Sequence, residues 1–151
     1  MKSIHQVYWY SIVCNFITII GGISVAIFFI FDLNETIESW GRFWGIIFIL
    51  FITSFCLVCS LSAVKSLSIL FKDFNSVKNK NYISIIGKVI KFKKNISLDS
   101  GSQVNNEPIV LILDTNEKIE LIVNDKIMVG ETYKFNYLKN SKIAEIVESI
   151  K

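Results

Sequence analysis

Three cysteines are the residues of this 151-residue chain whose type and spacing come closest to a chemical site. Cys56 and Cys59 form a C-x-x-C pair, which is the spacing of thiol redox motifs, and Cys14 lies in an earlier apolar run. All three lie about equally far from the polar segment between the two apolar runs, so a hairpin of those runs would bring them to one depth. Such a cluster would suit disulfide exchange or a bound metal ion.

A structural role for the cysteines is the favoured interpretation. Cysteine serves as a small apolar side chain in lipid, and no His, Asp or Glu lies near these thiols in the sequence to complete a metal site or to activate them. The single histidine, His5, has no partner motif for nucleophilic catalysis, and no glycine-rich phosphate loop occurs. We therefore predict no catalytic residue, no cofactor and no metal, and expect that the protein is not an enzyme.

Two long apolar runs dominate the first half of the chain. Residues 7–31 and 43–64 contain no formal charge, and each exceeds the roughly 20 residues that a helix needs to cross a bilayer. Helices satisfy their own backbone hydrogen bonds, which a crossing segment requires. The sequence predicts two transmembrane helices, with a flank at 1–6 and a loop at 32–42 between them.

The charges beside these runs set the expected orientation. The loop carries Asp32, Glu35 and Glu38 against Arg42, whereas lysines follow the second run, starting with Lys65. Lysine and arginine near spans are retained inside, so both termini should be cytoplasmic. The bias toward Ile, Lys and Asn is typical of a low-GC bacterium. We therefore expect that the membrane these helices cross is the bacterial cytoplasmic membrane. Residues expected at the membrane interfaces are Tyr8, Trp9, Tyr10, Trp40, Trp44 and Lys65.

Small and polar residues within the spans indicate helix packing. Gly22 and Ala26 have small-xxx-small spacing, with Gly21 beside them, which permits close helix approach in lipid. Packing within the hairpin is favoured over a dimer face. Asn15 is expected to meet a polar partner on the second helix, such as Ser60.

The second helix should continue beyond the membrane as a neck over residues 65–80. Leu67, Leu70, Phe71 and Phe74 recur at helical spacing, with lysines between them. This stripe suits either the inner membrane surface or packing against the domain that follows. The two alternatives are equally supported.

Residues 81–151 are polar and rich in β-branched residues, which predicts a small β domain. Alternation marks five strands, near 82–94, 108–114, 118–123, 132–138 and 142–147, with a polar loop at 95–106 and a bulge or bend at Gly87. Five strands in a domain this small favour a closed OB-like barrel, because closure removes exposed edges. An SH3-like barrel or an open sheet is the alternative.

Lysines in the first predicted strand indicate a surface for a partner or for lipid. They are Lys88, Lys91, Lys93 and Lys94. Nucleic acid is not the expected ligand, because acids nearly match lysines across the domain. Membrane lipid, a larger membrane protein or a second copy of the chain are the expected partners.

Two membrane helices followed by a C-terminal β-barrel resemble the short bacterial membrane-anchored OB-domain proteins of the NfeD type, and Gly87-Lys88-Val89 and Val129-Gly130-Glu131 are similar to that family's barrel. The resemblance implies a membrane partner, often a scaffold or quality-control complex. We therefore expect a non-enzymatic two-pass membrane protein, acting as an accessory, regulatory or scaffold subunit with a cytoplasmic docking domain. A membrane thiol protein using Cys14, Cys56 and Cys59, and a bacteriocin-immunity-type protein, are the alternatives.

Overall fold

The computed structural model describes residues 3–31, 38, 41–93 and 107–150. Within these residues two long helices, α1 (Ile4–Phe31) and α2 (Arg42–Lys78), precede six strands. The chain forms two compact units: Ser11–Ser68, and Met1–Tyr10 together with Ile69–Lys151. Most of the predicted loop 32–42, the loop 95–106, Trp40 and Lys94 lie outside the described residues.

Both helices are long and apolar enough to cross a membrane. Only 6% of the most apolar stretch of α1, and 11% of that of α2, is buried inside the protein. A core helix of a water-soluble protein would be mostly buried, so this exposure indicates a membrane protein. The hydroxyls of Thr18 and Thr53 find hydrogen-bond acceptors on their own helices. Thr18 donates to the Cys14 carbonyl at 2.9 Å, and Thr53 donates to the Ile49 carbonyl at 2.7 Å.

A capping box begins α1 earlier than predicted, inside the segment expected to be a flank. The Gln6 N–H donates to Ser3 Oγ at 3.4 Å, and the Ser3 N–H donates to Gln6 Oε1 at 3.2 Å. This reciprocal S-x-x-Q pair satisfies N–H groups that have no partner within the helix. Helix α1 therefore starts at Ile4.

Helix α2 runs without interruption to Lys78, so the segment predicted as a neck is the last part of this helix. Its end is a Schellman motif. Lys80 adopts a positive φ of 52°, the Asn81 N–H donates to the Ser76 carbonyl at 2.8 Å, and the Lys80 N–H donates to the Val77 carbonyl at 3.3 Å. These bonds end the helix just before the first strand.

The described residues of the second half of the chain form one open mixed sheet of six strands in the order β3-β2-β1-β5-β6-β4, so the closed five-stranded barrel stays a prediction. All neighbours pair antiparallel except β4 and β6, which are parallel. The strands are β1 (Ile83–Phe92), β2 (Pro108–Ile112), β3 (Lys118–Glu120), β4 (Ile122–Val123), β5 (Thr132–Tyr137) and β6 (Ile143–Ile150).

The structure has six strands where the sequence predicted five, because the third predicted strand is divided at Leu121. Residues before Leu121 pair with β2, and residues after it pair with β6. Leu121 itself is buried, and its N–H donates to the Pro108 carbonyl at 3.1 Å. The next N–H, of Ile122, donates to the Lys142 carbonyl at 2.9 Å. The two ends of the strand order are thus consecutive pieces of one segment.

The bulge in β1 lies at Ile90 and not at Gly87, because the register with β2 shifts between Val89 and Lys91. Gly87 has a different role. A Cβ at this position would lie 2.3 Å from Val110 Cγ1 and 3.0 Å from the Leu111 carbonyl oxygen. Glycine is needed here because the backbone of β2 approaches β1 closely.

The core of the β domain is formed by buried apolar side chains from five strands and from the segments between them, and Ile119 of β3 packs against it. Alternation along β5 buries every second residue, which is the period expected for a strand with one covered face. The core residues are Val89, Val110, Leu121, Val123, Ile127, Tyr133, Phe135, Tyr137 and Ala144.

Candidate functional site

Asp73 is the only charged side chain that is fully buried among the described residues, with 0% of its surface exposed. It lies on the last part of α2, on one helical face with the buried residues Leu70 and Val77. Phe71 and Phe74, on other faces, stay exposed. A buried carboxylate is costly unless it is paired or hydrogen-bonded, so its partners show what it does.

The carboxylate of Asp73 binds the turn between β5 and β6. Oδ1 accepts from the Asn140 N–H at 3.2 Å and from Asn140 Nδ2 at 2.7 Å, and Oδ2 accepts from the Ser141 N–H at 2.7 Å. Burial raises the pKa of Asp73, but the hydrogen bonds from Ser141 and Asn140 outweigh it and hold the pKa below its usual value. The ionised form is therefore part of the fold.

The first turns of α1 belong to the same compact unit and make two further contacts in it. The Ile4 N–H, at the start of the helix, donates to Glu145 Oε2 of β6 at 2.9 Å. A carboxylate is favourable there, because helix N-termini carry free N–H groups and partial positive charge. The buried Tyr8 hydroxyl donates to the Leu70 carbonyl at 3.0 Å. We call the set Ile4, Tyr8, Leu70, Asp73, Asn140, Ser141 and Glu145 the junction.

The junction changes two expectations from the sequence. Tyr8 was expected at the membrane interface, yet it is fully buried, because its ring lies within the protein and its hydroxyl binds α2. The neck was expected either on the membrane surface or against the β domain, and the buried contacts of Leu70 and Asp73 favour the domain. The other described interface candidates, Trp9, Tyr10, Trp44 and Lys65, are exposed.

Gly22 packs in the hairpin as the small-residue pattern suggested. A Cβ added to Gly22 would lie 2.5 Å from Ser60 Oγ and 3.3 Å from the Cys56 carbonyl oxygen. Nothing lies within 4 Å of the corresponding position at Gly21, so only Gly22 needs to be glycine for packing. Ala26, one turn further along, is half-buried. Asn15 donates to the Ser11 carbonyl of its own helix at 2.7 Å, whereas Ser60 lies against Gly22.

The hairpin register separates Cys14 from the other two cysteines. Since Gly22 lies against Cys56 and Ser60, Cys14 is level with about residue 66, roughly 10 Å along the axis from Cys59. A disulfide requires Cα atoms within about 7 Å. All three thiols are free, and no group of three metal-binding side chains occurs in the described part of the chain. The common depth behind the thiol hypothesis is therefore not observed.

The bulge at Ile90 brings the described lysines of β1 to one face of the sheet. Lys88 pairs with Leu111 and Lys91 with Ile109, and residues two apart on β2 point the same way. Without the extra residue, Lys91 would face the opposite side from Lys88. Lys93 forms an ion pair with Glu120 at 2.6 Å.

A small pocket of about 180 Å³ lies where these strands end. It is smaller than the roughly 300 Å³ at which small-molecule sites begin, so we do not assign it a cofactor. Its lining residues are Lys93, Glu107, Glu120, Leu121, Ile122, Ser141 and Lys142.

Sequence reasoning missed the junction. One signal was present: Asp73 interrupts the apolar stripe of the neck between Leu70 and Val77, where a solvent-facing acid would not be expected. Nothing in the sequence identified Asn140 as a partner of Asp73, or Glu145 as a partner of the first turn of α1. Comparison of the chain with protein-family models, with curated proteins and with solved structures finds no match.

Proposed function

We propose that this chain is a non-enzymatic two-pass membrane protein that acts as an accessory, regulatory or scaffold subunit of a larger membrane complex, as the NfeD-type resemblance implies. The observation that carries the proposal is the junction. The carboxylates of Asp73 and Glu145 hold the helices to the sheet through backbone and amide donors, and the Tyr8 hydroxyl holds α1 to the backbone of α2. Groups engaged in this way build a scaffold and are not available as acids, bases or nucleophiles.

The β domain is the proposed docking module, and we assign it an OB-like closed arrangement. Support comes from β3 and β4, the two ends of the strand order, which are consecutive pieces of one segment joined at Leu121. If residues 118–123 count as one strand, each of the five strands has two neighbours. Closure of this kind leaves few free edges, which suits a domain that must stay soluble beside a membrane.

Both termini are proposed to be cytoplasmic, in a bacterial inner membrane. Residues 1–10 and 69–151 belong to one compact unit, which supports placing both ends of the hairpin on the same side. Lysines on that side and acids in the connecting loop favour the inside for the termini. In a variant without native cysteines, a cysteine at Ser39 should react with an impermeant reagent on intact cells, and one at Lys139 only after lysis. The opposite pattern would reverse the orientation.

Purification of the tagged full chain in mild detergent tests the scaffold role. We expect a complex larger than the protomer, containing one membrane protein in a fixed ratio. Asp73→Ala, which breaks the junction, should release that protein, and Asp114→Ala, at an exposed turn, should not. A monodisperse monomer with no bound protein would count against the proposal.

A further inference from the structure

The segment that joins β4 to β5 carries two large apolar side chains that are exposed to solvent. Met128 is 66% exposed and Val129 is 54% exposed. Exposed apolar side chains that are adjacent in a water-facing domain commonly mark an interaction site. Their position is fixed by the hydrogen bonds on either side of them.

Backbone hydrogen bonds hold this segment against the bulge of β1. The Met128 N–H donates to the Tyr133 hydroxyl at 3.2 Å, and the Gly130 N–H donates to the Val89 carbonyl at 2.8 Å. Gly130 has a φ of 92°, which turns the chain back toward β5 and favours glycine. The Val89 N–H then donates to the Glu131 carbonyl at 3.0 Å. The segment is anchored before and after its apolar residues.

The bulge adds a third apolar side chain beside this segment. Ile90, 37% exposed, directly follows Val89, whose backbone binds both Gly130 and Glu131. We call Ile90, Met128 and Val129 the apolar tip.

Three exposed lysines are close in sequence to the residues of the apolar tip. Lys88 and Lys91 lie on either side of Ile90, and Lys126 lies two residues before Met128; all three are exposed. Two acids lie nearby. Glu131 is exposed and its carboxylate accepts from the Tyr133 hydroxyl, whereas Asp125 is half-buried, so three exposed lysines stand against one exposed acid. The exposed charge next to the tip is therefore mainly positive.

We propose that the apolar tip inserts into the headgroup region of an anionic bilayer, with Lys88, Lys91 and Lys126 contacting the anionic headgroups. Charge complementarity favours this occupant, because lysines beside an apolar surface match the composition of a membrane interface. The two spanning helices favour it as well, because they keep the β domain at high effective concentration near a bilayer. The inference rests on the membrane placement given under the proposed function.

Met128 provides a native probe of this contact. The chain contains two methionines, Met1 and Met128, so oxidation within the β domain reports on Met128 alone. The full wild-type chain is reconstituted in nanodiscs of phosphatidylcholine, with or without phosphatidylglycerol. Peroxide oxidation of Met128 is then followed by peptide mass spectrometry. We expect oxidation to be at least about fivefold slower in the anionic discs, since each lysine at an anionic surface contributes about that factor.

Matched lysine variants separate headgroup contact from net charge. Lys88→Gln/Lys91→Gln should weaken docking by roughly 25-fold and restore fast oxidation of Met128 in anionic discs. Lys78→Gln/Lys139→Gln removes the same charge at exposed positions away from the tip and should keep the protection. Molar salt, which shortens the screening length to about 3 Å, should abolish the protection.

Three results would overturn the inference: fast oxidation in both kinds of disc, slow oxidation in both kinds of disc, or loss of protection in the control variant. Fast oxidation in both kinds of disc would leave the tip as a surface for a protein partner. A chain that fails to enter discs at all would instead refute the membrane placement. Failure of the inference and failure of the proposed function therefore give different observations.

Discussion

Replacing Asp73 with alanine should open the β5–β6 turn. The change removes the acceptor for three hydrogen bonds, two of them from the backbone N–H groups of Asn140 and Ser141. Hydrogen bonds to a charged acceptor contribute about 1.5–3 kcal/mol each and are not additive when they share one carboxylate. We therefore expect a loss of about 3 kcal/mol of local stability.

Hydrogen exchange of the turn measures this loss directly, because two of the donors are exchangeable amides. For local opening, about 3 kcal/mol corresponds to roughly hundredfold faster exchange of the Asn140 and Ser141 amides. Exchange of the Val89 and Gly130 amides, which bind across the sheet elsewhere, should stay within a fewfold of wild type. The measurement uses the full chain in detergent micelles or nanodiscs, with peptides over residues 138–142 for the turn and peptides containing Val89 or Gly130 for the control.

Acid should act through the same carboxylate. The pKa of Asp73 is lowered in the folded protein, so its contribution is fully present above the unfolded value of about 4 and is lost as pH falls through the folded value. Asp73→Asn cannot accept all three donors, and its stability deficit relative to wild type should shrink below about pH 4.

The role given to Asp73 in the junction would be refuted if Asp73→Ala left hydrogen exchange of the turn unchanged, or if Asp114→Ala changed that exchange equally.

Three further predictions concern other parts of the fold. Gly22→Leu should separate the hairpin helices near Ser60 and cost about 1–3 kcal/mol, seen as a lower thermal midpoint in detergent, whereas Gly21→Leu should be tolerated because nothing lies within 4 Å there. Gly87→Ala should destabilise the β domain by a similar amount, because the new Cβ would meet Val110. Ser84→Ala, on the exposed face, is the control. Equal denaturation midpoints for the two variants would contradict the close approach of β2 to Gly87. Replacing all three cysteines with alanine should leave membrane insertion and complex formation unchanged, and loss of the complex would revive the thiol hypothesis.

The sequence by itself determined the two apolar helices and the approximate position of every strand. Each of these features depends on local composition or on a period of side chains along a few residues. The uncharged runs at 7–31 and 43–64 need no distant partner to prefer lipid. The alternation of 132–138 indicates a strand wherever that strand pairs.

Only the tertiary structure decided how these elements meet. Leu121 divides a strand because β2 and β6 each bind one half of it, and the register between β1 and β2 places the bulge at Ile90 and not at Gly87. The offset of the hairpin is set by Gly22 against Ser60, which separated the cysteines. Asp73 meets Asn140 across 67 positions of the chain, and no local pattern encodes such a contact. Long-range packing fixes these pairings, since each depends on which surfaces bury one another best.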